Sequence, residues 1–288
     1  MSTIEKAIKN LNSDQDSKDD TISNFPDETV VDKTDVTRRQ VPTDGEIRLP
    51  WEAMRQTGML TPEDGRSQIA EELRAIKRPL LRFAFSQEGN QRAHNNLIMV
   101  TSSVPGEGKS FSSINLAVSI ATELDRTALL VDADVARPSI AKYLGFRAKR
   151  GLVDYLLDKN VSISDVLLKT DLPKLSILPA GRTHHYSTEL LASENMRVLL
   201  DELSTRYQDR VVIFDSPPVL ATSEAQVLAN QMGQVVVVVE AVKTSQAMLN
   251  EALTKLSDAN IAGLLLNKSR VKSGGSYYGE YGYYGSDR

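Results

Sequence analysis

The sequence predicts a three-layer, doubly wound α/β domain on a mostly parallel sheet, and three observations carry that reading. Short apolar runs recur along the chain, stretches long enough to be crossover helices separate them, and a glycine-rich loop joins the first run to the first of those helices. The runs are LIMV (97–100), ALLV (128–131), VVIF (211–214), VVVVV (235–239) and GLLL (263–266), with a further one at 175–178. None alternates between apolar and polar residues, so each fits a strand covered on both faces. The stretches 110–124, 188–207, 223–231 and 245–257 supply the crossovers that parallel strands require.

A further helix starts at Ser67 and reads SQIAEELRAIK. Pro79 is expected to end it, because an interior proline removes a backbone donor and clashes with the preceding turn. Residues 1–65 are polar and irregular, acidic around Asp14 to Asp20, and carry Pro26, Pro42, Pro50 and Pro62, so they read as a flexible arm. Within that arm Ile4, Ala7, Ile8 and Leu11 recur at helical spacing, which predicts a short amphipathic helix. Trp51, the only tryptophan, is expected to anchor its segment on the domain. The chain then divides into an arm (1–65), a nucleotide-binding domain (66–270) and a tail (271–288).

Composition excludes several chemistries. The absence of cysteine rules out disulfides, thiol nucleophiles and cysteine-bound zinc, and fits a reducing cytosol. A net charge of −4 gives no general support for a nucleic-acid partner. No apolar run approaches the roughly 20 residues that span a bilayer, so the expected location is cytoplasmic, with any membrane association made through a partner. His184 and His185 are adjacent with no carboxylate spaced to complete a metal site, and read as loop residues.

The loop after the first strand reads Thr101-Ser-Ser-Val-Pro-Gly-Glu-Gly-Lys-Ser110 and leads straight into a helix, the setting a phosphate-binding loop needs. Gly106 and Gly108 let successive N–H groups turn inward, the helix N-terminus adds partial positive charge, and Lys109 adds a full one. Pro105, Gly106, Glu107, Gly108, Lys109, Ser110 and Phe111 form the candidate nucleotide-binding set, with Ser110 offering a hydroxyl to Mg²⁺. Ser103 replaces the usual first glycine of the loop. A dinucleotide site is the competing reading, but Phe111 stands where a third glycine would be needed. Two later strands end in acids, LLVD132-A-D134 and VVIFD215-S-P-P. Such carboxylates are the hard oxygen ligands that Mg²⁺ needs beside a triphosphate.

These motifs resemble those of the bacterial tyrosine kinases, which combine Ser-x-x-Pro-Gly-x-Gly-Lys-Ser, Asp-x-Asp-x-x-x-Pro and Asp-x-Pro-Pro; the likeness covers residues 67–288. EELRAIKRPLL (71–81), PAGR (179–182) and ELLASE (189–194) resemble the subgroup from exopolysaccharide loci associated with exosortase systems. The resemblance implies a protein-tyrosine autokinase using ATP and Mg²⁺. Lys109 would contact the β- and γ-phosphates, Ser110, Asp132 and Asp215 would hold the metal directly or through water, and Asp134 would orient or deprotonate the incoming tyrosine. Asn267 resembles the adenine-contacting asparagine of the wider superfamily. Glu71, Arg74 and Lys77 fall on the family's self-association motif Glu-x-x-Arg-x-x-Arg, with lysine in the last place. The implied partners are further copies of the chain, an inner-membrane protein of the polysaccharide chain-length-determinant class, and a protein-tyrosine phosphatase.

The tail concentrates five of the nine tyrosines: Tyr277, Tyr278, Tyr281, Tyr283 and Tyr284, interleaved with glycine. No core periodicity explains them, and glycine leaves each phenol free to enter an active site in turn. As a coil, the roughly 17 residues from Asn267 to Tyr284 reach ~20–25 Å, enough for a neighbouring copy. A Gly/Tyr segment that stacks on nucleic-acid bases is the alternative for the tail. For the whole chain the alternatives are a switch ATPase, which normally carries an extra lysine early in the loop where this chain reads Ser-Ser-Val-Pro, and a non-enzymatic scaffold.

Overall fold

A computed structural model describes residues 46–65, 67–86, 94–182, 187–206 and 209–269. Strands β1 (Glu46–Ile47), β2 (Leu97–Ser102), β3 (Thr127–Asp132), β4 (Leu168–Thr170), β5 (Leu175–Leu178), β6 (Arg210–Asp215), β7 (Gln234–Glu240) and β8 (Ile261–Asn267) form one sheet in the order β1-β4-β5-β3-β6-β2-β7-β8. Neighbours run parallel except β4 and β5. All six residues of β2 are buried, as an unbroken apolar run between two helical layers demands. The two faces carry separate cores, one centred on Leu97, Leu129 and Phe214, the other on Ile98, Leu130 and Ile213.

The helices are α1 (Trp51–Gln56), α2 (Gln68–Phe85), α3 (Lys109–Ala121), α4 (Ile140–Tyr143), α5 (Leu152–Leu157), α6 (Ile163–Val166), α7 (Ser187–Leu191), α8 (Glu194–Thr205), α9 (Glu224–Ala229) and α10 (Gln246–Lys255). The predicted helix 188–207 is two helices, α7 and α8, because Ser193 closes one and opens the other. Its hydroxyl donates to the Leu190 carbonyl (2.7 Å) and accepts from the Met196 N–H (3.2 Å).

Two further expectations fail. Helix α2 does not stop at Pro79 but runs on to Phe85. Its apolar face continues past the proline, where Leu80 and Ala84 are buried and Leu81 and Phe85 pack on the same core. Burying those side chains offsets the ~3 kcal/mol that a helix-interior proline costs.

The arm boundary at residue 65 is also wrong, since residues 46–65 belong to the domain. Strand β1 pairs with β4, and Ile47, Leu49, Met54, Met59 and Leu60 are buried. Asp171 fastens this segment, accepting from the Trp51 indole N–H (3.0 Å) and the Leu49 N–H (3.1 Å), so Trp51 does anchor it. The Asn115 side chain of α3 accepts from the Leu60 N–H at 2.6 Å. The predicted helix at residues 4–11 and the pair His184/His185 lie outside the described residues.

Met54 is 1% exposed although its neighbours in sequence read as arm. Met54→Ala is therefore expected to cost about 2–5 kcal/mol in urea denaturation, the penalty of a core truncation. An arm residue would cost about 0.5 kcal/mol or less.

Candidate active site

The ends of three adjacent strands, β3, β6 and β2, create the site. The register pairs Asp132 with Asp215, so their carboxylates leave the sheet side by side about one strand spacing (~4.8 Å) apart. Strand β2 on the far side of β6 continues into the loop 103–108 and then α3. Gly106 (φ 90°) and Gly108 (φ 98°) adopt the left-handed conformation that turns the loop inward. Gly108 is needed twice over, because a Cβ there would lie 2.0 Å from the Asn267 side-chain nitrogen.

Lys109 starts α3 with its ammonium among three carboxylates. It lies 2.8 Å from Asp134 Oδ2 and 3.8 Å from Asp215 Oδ1. Burial works against its charge, but Asp215 and Asp134 outweigh that penalty and hold its pKa above the usual lysine value. Burial and the neighbouring Asp215 charge push Asp132 up to about 8. Burial likewise raises Asp215, against the pull of Lys109. Asp132 Oδ2 accepts from the N–H groups of Ser139 and Ile140 (both 3.1 Å), whereas its Oδ1 is buried without a partner. With all three acids ionised, one ammonium leaves two negative charges uncompensated. A bare hard oxygen inside that imbalance is the chemistry a divalent cation satisfies. Among the described residues no three His, Cys, Asp or Glu side chains are grouped to hold a metal alone.

A cavity of about 950 Å³ opens in front of this cluster. Pro105, Gly106, Gly108, Lys109, Ser110, Phe111, Asp134 and Asn267, all expected from sequence, line it. Asp132 and Asp215 stand behind, buried. Glu107 is also behind and is a brace: its carboxylate accepts from the Val104 N–H (2.8 Å) and the Thr244 hydroxyl, and its carbonyl accepts from the Asn267 amide (2.9 Å).

Sequence reasoning missed two serines that wire the cluster. Ser139 donates to the Ser110 hydroxyl at 2.7 Å, and Ser113 donates to Asp215 at 3.2 Å. Ser113 lies one helical turn after Lys109 and Ser139 directly follows Pro138 of the acidic motif, so spacing alone held a hint of both.

The self-association trio does not share one free face. Glu71 and Arg74 pair with each other at the surface of α2. Lys77 is 4% exposed and turns inward, its ammonium bound to the Ser119 carbonyl and to Glu123, both at 2.6 Å. A cation at the C-terminal end of α3 is favoured by that helix's dipole, which explains the inward turn. The tail tyrosines lie outside the described residues.

Residues 95–261 match the AAA domain family. The tyrosine-protein kinase YwqD of Bacillus subtilis is 34% identical over 191 residues, which cover 66% of this chain and 77% of that one. The chain belongs to the bacterial tyrosine-protein kinases. The putative tyrosine-protein kinase EpsB of Ralstonia solanacearum is 36% identical over 219 residues, 74% of this chain but only 28% of that relative. This member therefore spans little more than a quarter of the length of EpsB. The kinase domain of the Escherichia coli tyrosine kinase ETK superposes with a TM-score of 0.64 at 25% identity, covering 81% of this chain and 93% of that one. The mostly parallel sheet of this tyrosine-kinase family member is thus the P-loop nucleotide-binding fold, and among its described residues no helix is long and apolar enough to cross a membrane.

The raised Asp132 gives a signed pH effect. Its folded pKa of about 8 exceeds the ordinary 3.8, so the folded chain binds the extra proton and loses stability as pH rises from about 4 to about 8. Asp132→Asn removes that loss. In EDTA without nucleotide, the variant's Tm is expected to exceed the wild-type Tm at pH 8 by more than at pH 5; an equal difference at both would refute the cause given.

Proposed function

We propose that the chain is an ATP-dependent protein-tyrosine kinase that transfers the γ-phosphoryl group to Tyr277, Tyr278, Tyr281, Tyr283 and Tyr284 of a neighbouring copy. The observation that carries this is the clustering of Lys109, Ser110 and Asp134 in the wall of one cavity with Asp132 and Asp215 buried directly behind them. Family membership makes protein tyrosine the acceptor class, and the tail supplies it.

Lys109 would contact the β- and γ-phosphates, and Ser110, Asp132 and Asp215 would hold Mg²⁺, which when bound would supply charge neutralisation at the phosphates. Asn267 faces the nucleotide base from the end of β8. Phosphate oxygens compete with Asp134 for the Lys109 ammonium. Once Lys109 turns to them, Asp134 Oδ2 is released to accept the hydrogen bond, and then the proton, of the incoming phenol. The phenolate oxygen forms its bond to γ-phosphorus as the bond to the β,γ-bridging oxygen breaks, leaving ADP and phosphotyrosine. Catalysis on this scheme is positioning plus charge stabilisation, which a carboxylate and a lysine suffice to provide.

Assembly through Glu71 and Arg74 follows from the family's motif, with Lys77 contributing by holding α2 against α3 rather than by touching a neighbour. A membrane protein of the polysaccharide chain-length-determinant class is the partner that brings the kinase to the inner face of the membrane. A protein-tyrosine phosphatase resets the tail. Regulation of exopolysaccharide synthesis is the role this arrangement serves.

Incubation of the full chain with γ-labelled ATP and Mg²⁺, the membrane partner co-expressed, tests the reading. Label is expected on the tail tyrosines by mass spectrometry, falling at least ~100-fold in Lys109→Met and in Asp134→Asn. Released phosphate without labelled protein would mean a switch ATPase, and neither product a scaffold.

A further inference from the structure

The two edges of the sheet are unequal. One is β1, two residues long; the other is β8, seven residues reading Ile-Ala-Gly-Leu-Leu-Leu-Asn, with no charged residue and no proline. Charges, prolines and bulges are what keep the outward N–H and C=O groups of an edge strand from recruiting another strand. The irregularity in the pairing of β8 with β7 falls between Ile261 and Gly263, so Gly263 to Asn267 form an even ladder. Leu264 and Leu266 are 52% and 63% exposed, whereas Leu265 between them packs on the core. Among the described residues nothing pairs with the outer side of β8, and an apolar edge of this length gains from a covering strand.

The tail begins where that edge ends. Lys268 has φ 58°, the left-handed region used where hairpins reverse direction. Its ammonium donates to the Gly106 carbonyl at 2.7 Å and lies 3.1 Å from Glu240 Oε2, which fixes the point of exit beside β8. Residues 268–276, with Gly274 and Gly275, leave slack for a reversal, and the closure cost of a loop rises only slowly with its length. The eight residues 277–284 then span about 24 Å when extended, against about 20 Å for β8. Five of the eight are tyrosines, which favour strands. In a strand Tyr277, Tyr281 and Tyr283 share one side, and Glu280 shares the other with Tyr278 and Tyr284. Lys272 and Arg288 balance Glu280 and Asp287, so residues 271–288 carry no net charge to oppose docking on an apolar edge.

We propose that residues 277–284 add antiparallel to β8 of their own chain as a ninth strand, with Tyr277, Tyr281 and Tyr283 against Leu264 and Leu266, and that this docking shelters the unmodified tail. An antiparallel edge strand on an otherwise parallel sheet is a common arrangement. Glu280 sets the register, because the opposite one would press its carboxylate against the leucines. Attachment to the end of β8 gives the tail an effective concentration on the order of millimolar, which favours it over the same segment of another copy. A phosphate of about −2 charges cannot stay on a leucine surface, so a phosphorylated tail is released. The docking stands without the kinase reading; its consequence, a substrate withheld until the strand detaches, rests on it.

Hydrogen exchange read by mass spectrometry on the full, dephosphorylated chain without nucleotide tests the docking. Amides of 277–284 are expected to exchange at least ~10-fold more slowly than in a free peptide of residues 273–288, at every protein concentration. Two full-length variants that keep all five tyrosines should exchange there at the free-peptide rate. One is Leu264→Lys with Leu266→Lys, which puts cations on the edge. The other is Gly279→Pro with Gly282→Pro; these positions differ in parity, so one of them loses an N–H to the ladder in either register, and thermal unfolding should not change. Tyr281→Glu with Tyr283→Glu should also release the tail, whereas Tyr278→Glu with Tyr284→Glu should not. Under labelled ATP and Mg²⁺ both tyrosine-keeping variants should label their tails severalfold faster than wild type, because the competent fraction rises. Free-peptide exchange in wild type, or release by Tyr278→Glu with Tyr284→Glu as complete as by the other pair, overturns the proposal. So does protection that grows with protein concentration, which would make a second copy the occupant. Equal labelling rates in all three proteins overturn the sheltering. Protection in a chain that never labels its tyrosines would support the docking and sink the kinase reading alone.

Discussion

One ammonium shared among three buried carboxylates is the constraint on which the site depends. Asp132 and Asp215 are placed side by side by strand register, and neither is free to move away because each ends a fully packed strand. Lys109 cannot neutralise both of them together with Asp134, so burial and mutual repulsion raise both strand-end acids. The surroundings therefore answer to that deficit. Backbone N–H groups after Pro138 aim at Asp132, Ser113 aims at Asp215, and the helix dipole points its positive end at the same space.

The loop is held from outside as firmly as from within. Glu107 joins the start of the loop to Thr244, Asn267 binds its carbonyl, and Lys268 binds the Gly106 carbonyl at 2.7 Å. Strand β8 thus acts on the phosphate loop from the edge of the sheet, and the same contacts put Asn267 at the cavity wall. At its far end α3 is tied to α2 by Lys77. The helix that begins at the glycine-rich loop consequently ends on the helix that carries the Glu71–Arg74 pair, so a rod of about 20 Å joins the two.

What the residues carried unaided was the sheet, the loop and the acids. Five apolar runs became β2, β3, β6, β7 and β8, because a strand buried on both faces has no polar face to hide its signal. Ser67, read as the start of a helix, is its N-cap, the Ala70 N–H donating to its hydroxyl at 3.3 Å. The acids were legible because strand-end aspartates beside a Gly-Lys-Ser loop serve one chemistry. The trio Glu71, Arg74 and Lys77 was only partly legible: the motif gives spacing along a helix, but Lys77 falls in the stripe of Ala70, Leu73, Leu80 and Ala84 that α2 buries, and a lysine there does not announce burial by its residue type.

By itself, then, the order of residues determined where the glycine-rich loop meets a helix and which segments must be strands, since both follow from local spacing. Tertiary structure alone decided the rest. Strand order brought Asp132 beside Asp215 across 83 positions of sequence, and packing of Leu80 and Ala84 carried α2 through Pro79. The core claimed residues 46–65 through a two-residue strand and scattered methionines that leave no periodic trace. The reason is common to all three: burial energy is gathered from residues far apart in the chain, and it outweighs local preferences worth a few kcal/mol at most.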